Sequence, residues 1–365
     1  MPPQPRAAAH PQRSRRPRWP RAGLRLLLGV AVALAPPAAL AQVGGQAPGG
    51  AASGAGSASI FAGSMIETRA VVGATTFDKS ADPTWNPSVG SAIVLAPRVR
   101  LGAGLSLSAM TTLSREFTDE DWTQASGETT LSDTFVTFGA PIVANPALGL
   151  SLSASLQLRL PTSKISLSNS MIFGSLVGVT AAFSKAFAPL GWSQTLSMAL
   201  IGRGGPFAHR YTTGSLESPW LGNCPSLREG CERYSHDGVR NPAFRWQGIA
   251  ALDWGPHPRI GLSLQGGVFY DTLSDSAPAR TASGLRIAPD ASDPSARGII
   301  FTAAYVNVTL TDELAVAAGV ETAHEQLGPD SRPRAPFYNR FSSVLIALRL
   351  FPDALAGRFG AQAPR

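Results

Sequence analysis

Residues 150–160 read LSLSASLQLRL, from Leu150 to Leu160. Leu150, Leu152, Leu156, Leu158 and Leu160 share one parity, and Ser151, Ser153, Ser155, Gln157 and Arg159 share the other. Successive side chains of a β-strand point to opposite faces, so this is a strand with a leucine face and a small, polar face. A helical period would scatter both sets around a cylinder. The strand is also long: strands in soluble sheets typically run about five or six residues.

Comparable alternation occupies residues 105–113, 260–270, 300–310, 314–322 and 344–350. Between such stretches the connections alternate in length. Short turns are expected near 99–103, 143–149, 188–192, 255–259 and 312–313, and longer polar loops near 78–88, 118–130, 165–170, 212–242, 278–298 and 327–339. Short turns on one side and long loops on the other is the construction of an antiparallel transmembrane β-barrel. Six loops and five turns separate about twelve strands, which leaves both chain ends in the periplasm. Gly-Leu-Ser-Leu recurs at Gly104–Leu107, Gly149–Leu152 and Gly261–Leu264, each time just after an expected short turn. Aromatic residues gather near expected strand ends, as the interfacial girdles of a barrel require: Phe77, Phe117, Phe138, Trp192, Trp246, Trp254, Tyr270, Phe301, Phe341 and Phe351. The rival architecture is a soluble β-sandwich, whose apolar face would be a core.

The first 41 residues have the layout of a secretory signal. Seven arginines lie between Arg6 and Arg25, an apolar run extends from Leu26 to Leu40, and Ala39-Leu40-Ala41 places cleavage between Ala41 and Gln42. Residues 42–64 are rich in Gly, Ala and Ser, which suits a flexible linker and leaves room for a plug. The whole chain has 31 basic and 24 acidic residues; without the seven signal arginines the balance is 24 to 24. The basic character therefore belongs to the export signal, and gives no reason to expect nucleic acid as a partner. Cys224 and Cys231 lie in one loop segment, and in an exported chain they are expected to form a local disulfide. The barrel is expected over residues 65–351, followed by a periplasmic tail at 352–365.

If the leucine face meets lipid, the other parity lines the lumen. The ionisable candidates there are Glu67 and Arg69, Asp133, Arg159, Arg245, Asp253, Glu321 and Arg349. Gln157, Gln247, Gln265 and Asn307 are their neutral companions. Both signs are present, so the groups can pair with one another as readily as they can line a solute path. For catalysis by an outer-membrane lipid hydrolase, a serine two residues after a histidine would be wanted. None of His209, His236, His257 or His324 has one. Ser235-His236-Asp237 are adjacent, so their side chains diverge. No cluster has the ligand spacing of a metal site; the acidic stretch Asp119-Glu120-Asp121 with Glu128 is expected to be a solvated loop. No catalytic residue, metal or cofactor is assigned.

Residues 131–163, LSDTFVTFGAPI, a short turn, then LGLSLSASLQLRLPTS, resemble the phenol meta-pathway outer-membrane transporter family. In that family a strand begins near an acidic residue and its neighbour closes on a Leu-Pro-Thr step, here Leu160-Pro161-Thr162. The resemblance implies a channel for small hydrophobic or aromatic compounds, with Asp133 and Arg159 as lumen positions. One departure is clear: such barrels usually finish on a C-terminal aromatic residue, whereas fourteen residues follow Phe351 here. The function expected is passive passage of small solutes across the outer membrane of a Gram-negative bacterium. The partners expected are outer-membrane lipid, lipopolysaccharide, the barrel-insertion machinery and the solutes. Two other classes stay open: a non-conducting barrel whose loops make a binding or adhesive surface, and a lipid-modifying enzyme.

Overall fold

The computed structural model describes residues 60–78, 87–118, 127–187, 194–215, 236–275, 279–280, 286–287, 295–325 and 334–355. The signal segment, most of the linker, Trp192, the acidic stretch at 119–121 and both cysteines lie outside them. Twelve antiparallel strands make the wall: β1 Met65–Gly73, β2 Val89–Ala96, β3 Leu105–Glu116, β4 Thr134–Asn145, β5 Leu150–Leu160, β6 Met171–Phe187, β7 Gln194–His209, β8 Pro242–His257, β9 Ile260–Leu273, β10 Ala296–Thr311, β11 Leu314–Glu325 and β12 Ser342–Leu350. Each pairs with its chain neighbours, and β1 closes the ring by pairing with both β2 and β12. A short helix, α1 Ala74–Phe77, follows β1, and after Pro97, which has no N–H to donate, β2 continues as the short stretch Arg98–Gly102.

Closure removes both sheet edges, so every strand has hydrogen-bonding partners on two sides. The side-chain parity then sorts the faces. Leu156, Leu158, Val177, Leu200, Leu264, Val306, Val320 and Ile346 all point outward and stay exposed, while Gln157, Ile201, Gln265, Ala303 and Leu345 point inward and are buried. In water such a continuous apolar band would be far larger than a soluble surface tolerates. Facing lipid it is the stable arrangement, and with a closed antiparallel wall it is the outer-membrane type of barrel.

Of the expected turns, 188–192 lies outside the described residues; those near 99–103 and 143–149 tighten to 103–104 and 146–149, and 312–313 lies between β10 and β11 as expected. The turn expected at 255–259 contracts to Pro258-Arg259 because β8 runs on to His257 through an irregular register between Trp254 and His257. At the turn before β5, Gly149 has φ +69°, a region that L side chains avoid. Its own carbonyl accepts from the Ser184 N–H at 2.8 Å, and an added Cβ would lie 2.1 Å from the Ser184 carbonyl oxygen. This Gly-Leu-Ser-Leu copy thus begins where only glycine fits.

Two of the expected girdle aromatics point inward instead. Phe301 is fully buried, because Ile299, Phe301 and Ala303 share the inner face of β10. The run Ile299-Ile300-Phe301 is apolar on both parities, so alternation gave no sign of which face it would take. Phe351 packs against the inner cluster of Met65, Val94, Ala96, Met110 and Phe135. Its N–H bonds the Glu313 carbonyl at 2.8 Å, turning the chain under the short-turn end of the barrel. Residues 352–355 make a helical turn there, and Asp353 accepts a 3.3 Å hydrogen bond from the Gly63 N–H. Phe138, Trp246, Trp254 and Tyr270 do point outward.

Candidate functional site in the barrel interior

The inner wall is uneven. On the side of β9 to β12, Phe269, Ile299, Phe301, Tyr305, Ala317 and Leu345 fill it with large or tightly packed side chains. On the side of β4 to β7 the inner face also carries a set of small residues, Thr137, Ser153, Thr180, Ala182, Ser197 and Ala199, all of them partly accessible. Their accessible surface means that neighbouring side chains do not fill the interior beside them.

Two layers of ion pairs cross the interior. In the layer toward the short turns, Glu67 is fully buried and accepts from Arg69 on its own strand and, at 2.5 Å, from Nε of Arg349 on β12. Arg349 Nη1 also donates to Asn307 Oδ1 at 2.6 Å, Asn307 Nδ2 to Ser263 Oγ at 3.1 Å, and Ser263 Oγ to Asp253 Oδ1 at 2.5 Å. On the other flank, Arg69 lies 3.9 Å from Glu321, which accepts from the Tyr305 hydroxyl at 3.0 Å. The chain of contacts runs through β8, β9, β10, β12, β1 and β11.

The second layer lies toward the long loops. Asp271 on β9 accepts two hydrogen bonds from Arg245, at 2.6 and 2.8 Å, and one from Arg297 at 3.1 Å. The paired geometry is the fork that guanidinium and carboxylate favour. Asp133, just ahead of β4, accepts from Arg159 Nε and Ser166 Oγ, each at 2.5 Å, and from the Ser163 N–H at 3.0 Å. Between these groups stands Phe207, with the Arg159 and Arg245 guanidinium carbons 5.8 and 5.2 Å from its ring centre. Phe135 and Phe269 extend the series on either side, 5.8 Å from Arg159 and 5.7 Å from Arg245. Cations over ring faces gain from the ring quadrupole, most where water is scarce.

The Leu160-Pro161-Thr162 step has a local role. Thr162 Oγ1 donates to the Ser132 carbonyl at 2.7 Å, and Ser163 caps the helix α2, Lys164–Ser168, by accepting from the Ser166 N–H at 3.1 Å. This brings α2 over Asp133 and Arg159. Its far end is held by Asn241, almost wholly buried, which donates to the carbonyls of Asn169 at 3.0 Å and Tyr211 at 2.9 Å. Lys164 forms an ion pair with Glu128.

All the candidates therefore lie on the inner face, but in separate groups. Glu67, Arg69, Arg349, Asn307, Asp253 and Glu321 are joined in one network; Asp133 and Arg159 in a second; Arg245 joins Asp271. Gln157 bonds Thr137 at 3.3 Å, and Gln265 is buried apart from both layers. Parity reasoning missed several inward charges, and three of them show why. Asp271 continues the parity of Gln265 one residue beyond the alternating stretch 260–270. Arg297 fell in an expected loop. Arg203 sits in the glycine-rich sequence GRGGP, where small residues on both faces erase the alternation.

No family model and no curated protein matches this sequence. Among solved structures, the chain is similar to the NanC porin (8% identity, covering 78% of this chain and 99% of that one, TM-score 0.41). It is also similar to an outer membrane channel from Pseudomonas putida F1 (12%, 79% and 94%, TM-score 0.44) and to LpxR from Salmonella typhimurium (7%, 78% and 99%, TM-score 0.35). Likeness at this level assigns neither a solute nor a reaction to the chain.

Proposed function

We propose that the chain is a passive outer-membrane channel for small solutes, aromatic ones included. The observation that carries this is the part of the inner wall that side chains leave unfilled, lined from β4 to β7 by Thr137, Ser153, Thr180, Ala182, Ser197 and Ala199. Small side chains leave cross-section for a solute, and hydroxyls replace hydration along the way. The local resemblance of residues 131–163 to the phenol meta-pathway transporters is what favours aromatic compounds among these solutes.

Planar-bilayer conductance of refolded residues 42–365, beside a version lacking residues 42–64, tests this. Steady conductance in the longer form is the expected result. Conductance only after the deletion would make the linker a plug of the same channel. Silence in both would overturn the proposal and favour a filled barrel that works through its loops.

A further inference from the structure

Every inward arginine in the two layers faces a carboxylate: Arg69 and Arg349 share Glu67, Arg159 has Asp133, and Arg245 and Arg297 share Asp271. Arg203 differs. Among the described residues its side chain has no acidic partner, and its Nε is buried without a hydrogen bond. Across the wall, Ser155 Oγ is also buried and unbonded. An unmade bond at a buried polar atom is costly, and in a native fold it calls for a reason such as a ligand.

The strand register relates the two positions. Arg203 pairs with Gly178 on β6, and Gly178 pairs with Ser155 on β5, so the three stand in one row. The stem of Arg203 lies across the glycine: a Cβ on Gly178 would come within 2.3 Å of Arg203 Cγ. Any larger residue at 178 would push the guanidinium off this path. The row also has a defined depth. On β7 it lies two residues below Gly205, which pairs with Arg245 of the long-loop layer. It lies six residues above Ser197, which pairs with Asp253 of the short-turn layer. Arg203 therefore stands between the two neutralised layers, on the small-residue side of the barrel.

We propose that Arg203 and Ser155, over the floor provided by Gly178, form an anion-binding site in the lumen just below the long-loop layer, and that the solutes it serves are small carboxylates. A guanidinium offers a carboxylate two parallel N–H donors, and a serine hydroxyl can supply a third. This deepens the channel proposal by naming the solute class, and it rests on that proposal only for passage, not for binding.

The test separates the two. Benzoate is titrated onto the detergent-refolded chain, with benzamide as the neutral control, and binding is read from line broadening in the NMR spectrum of the small molecule. Benzoate is expected to broaden and benzamide not. R203Q is expected to weaken benzoate binding roughly tenfold or more, with R203K and S155A between, as loss of charge-assisted hydrogen bonds dictates. Among the described residues Arg203 has no ion-pair partner to abandon, so these variants are expected to refold as the native chain does. Equal broadening by both compounds, no broadening, or an R203Q chain that binds as well as the native one overturns the anion site. In bilayers the native channel is expected to favour chloride over potassium, and R203Q to bring the permeability ratio to about one. Conductance without benzoate binding overturns this inference alone; benzoate binding without conductance overturns the channel proposal alone.

Discussion

Replacing Glu67 by alanine is expected to cost the barrel about 3–5 kcal/mol of unfolding free energy, the range for breaking a buried ion pair from one side. Glu67 is fully buried and holds two guanidiniums, from Arg69 on β1 and Arg349 on β12. Those two strands are where the ring closes. Removing the carboxylate leaves buried Arg69 and half-buried Arg349 facing each other across the closing seam, with Asn307 still accepting from Arg349. Urea unfolding of the refolded chain in lipid vesicles would read the loss as a lowered midpoint. The origin is checked by the triple variant Glu67→Leu, Arg69→Met, Arg349→Met, which removes the charges together. It is expected to recover most of the stability, since apolar side chains of similar volume often replace buried ion networks without loss. A single variant as stable as the native chain would mean that the layer is solvated.

Leu200→Arg is expected to destabilise the barrel in a bilayer by about 2–4 kcal/mol, the cost of an arginine on the lipid face near the midplane. Leu200 is 61% exposed on the outer face of β7, flanked across the pairing by Ala181 and Ala250. For a soluble protein an exposed leucine changed to arginine would shift stability by no more than about 0.5 kcal/mol. The two environments therefore predict effects of different size for one substitution. The inward neighbour gives the control: Ala199→Ser places a hydroxyl among Ser197 and Thr180 on the small-residue wall and is expected to change little. Urea titration in vesicles compares the pair, and equal, small effects would contradict a lipid-facing surface.

The faces of the barrel were legible because a strand's parity is a local property. LSLSASLQLRL declares which residues share a side without reference to any other strand, and Leu156 and Gln157 take opposite faces as that pattern requires. The turns were legible for a related reason: Gly149 must take a positive φ, and a Gly-Leu-Ser-Leu copy marks the place. What alternation cannot give is the lateral register, which depends on shear. So Glu67, Arg349 and Asn307 could each be assigned to the interior, but not to one another. Where both parities carry similar residues the pattern fails, which is why Phe301 was expected at a girdle and lies inside. In GRGGP the glycines that open a path for Arg203 also hide it, because a residue with no side chain marks neither face. The helix α2 was invisible to strand periodicity altogether; its start depends on Ser163 serving as an N-cap.

The asymmetry of the interior follows from these placements. The strands β6 to β10 run to 14–17 residues, while β1, β2 and β12 have 8 or 9. Large side chains fill the lumen beside β9 to β12, and small ones leave it open beside β4 to β7. From the long loops toward the short turns, the inner face on that side runs from α2 and Phe207 past Arg203 to Ser197.

The most direct measurement is the labelling of single cysteines along β5 in a chain carrying Cys224→Ser and Cys231→Ser, reconstituted in vesicles. A membrane-impermeant maleimide is added from both sides to Ser151→Cys, Ser153→Cys, Leu156→Cys and Leu158→Cys. Reaction at positions 151 and 153, with protection at 156 and 158, is the predicted result. Reaction at 156 and 158 equal to that at 151 and 153 would mean that the leucine face is wet, and would contradict a barrel with lipid outside and a water path within.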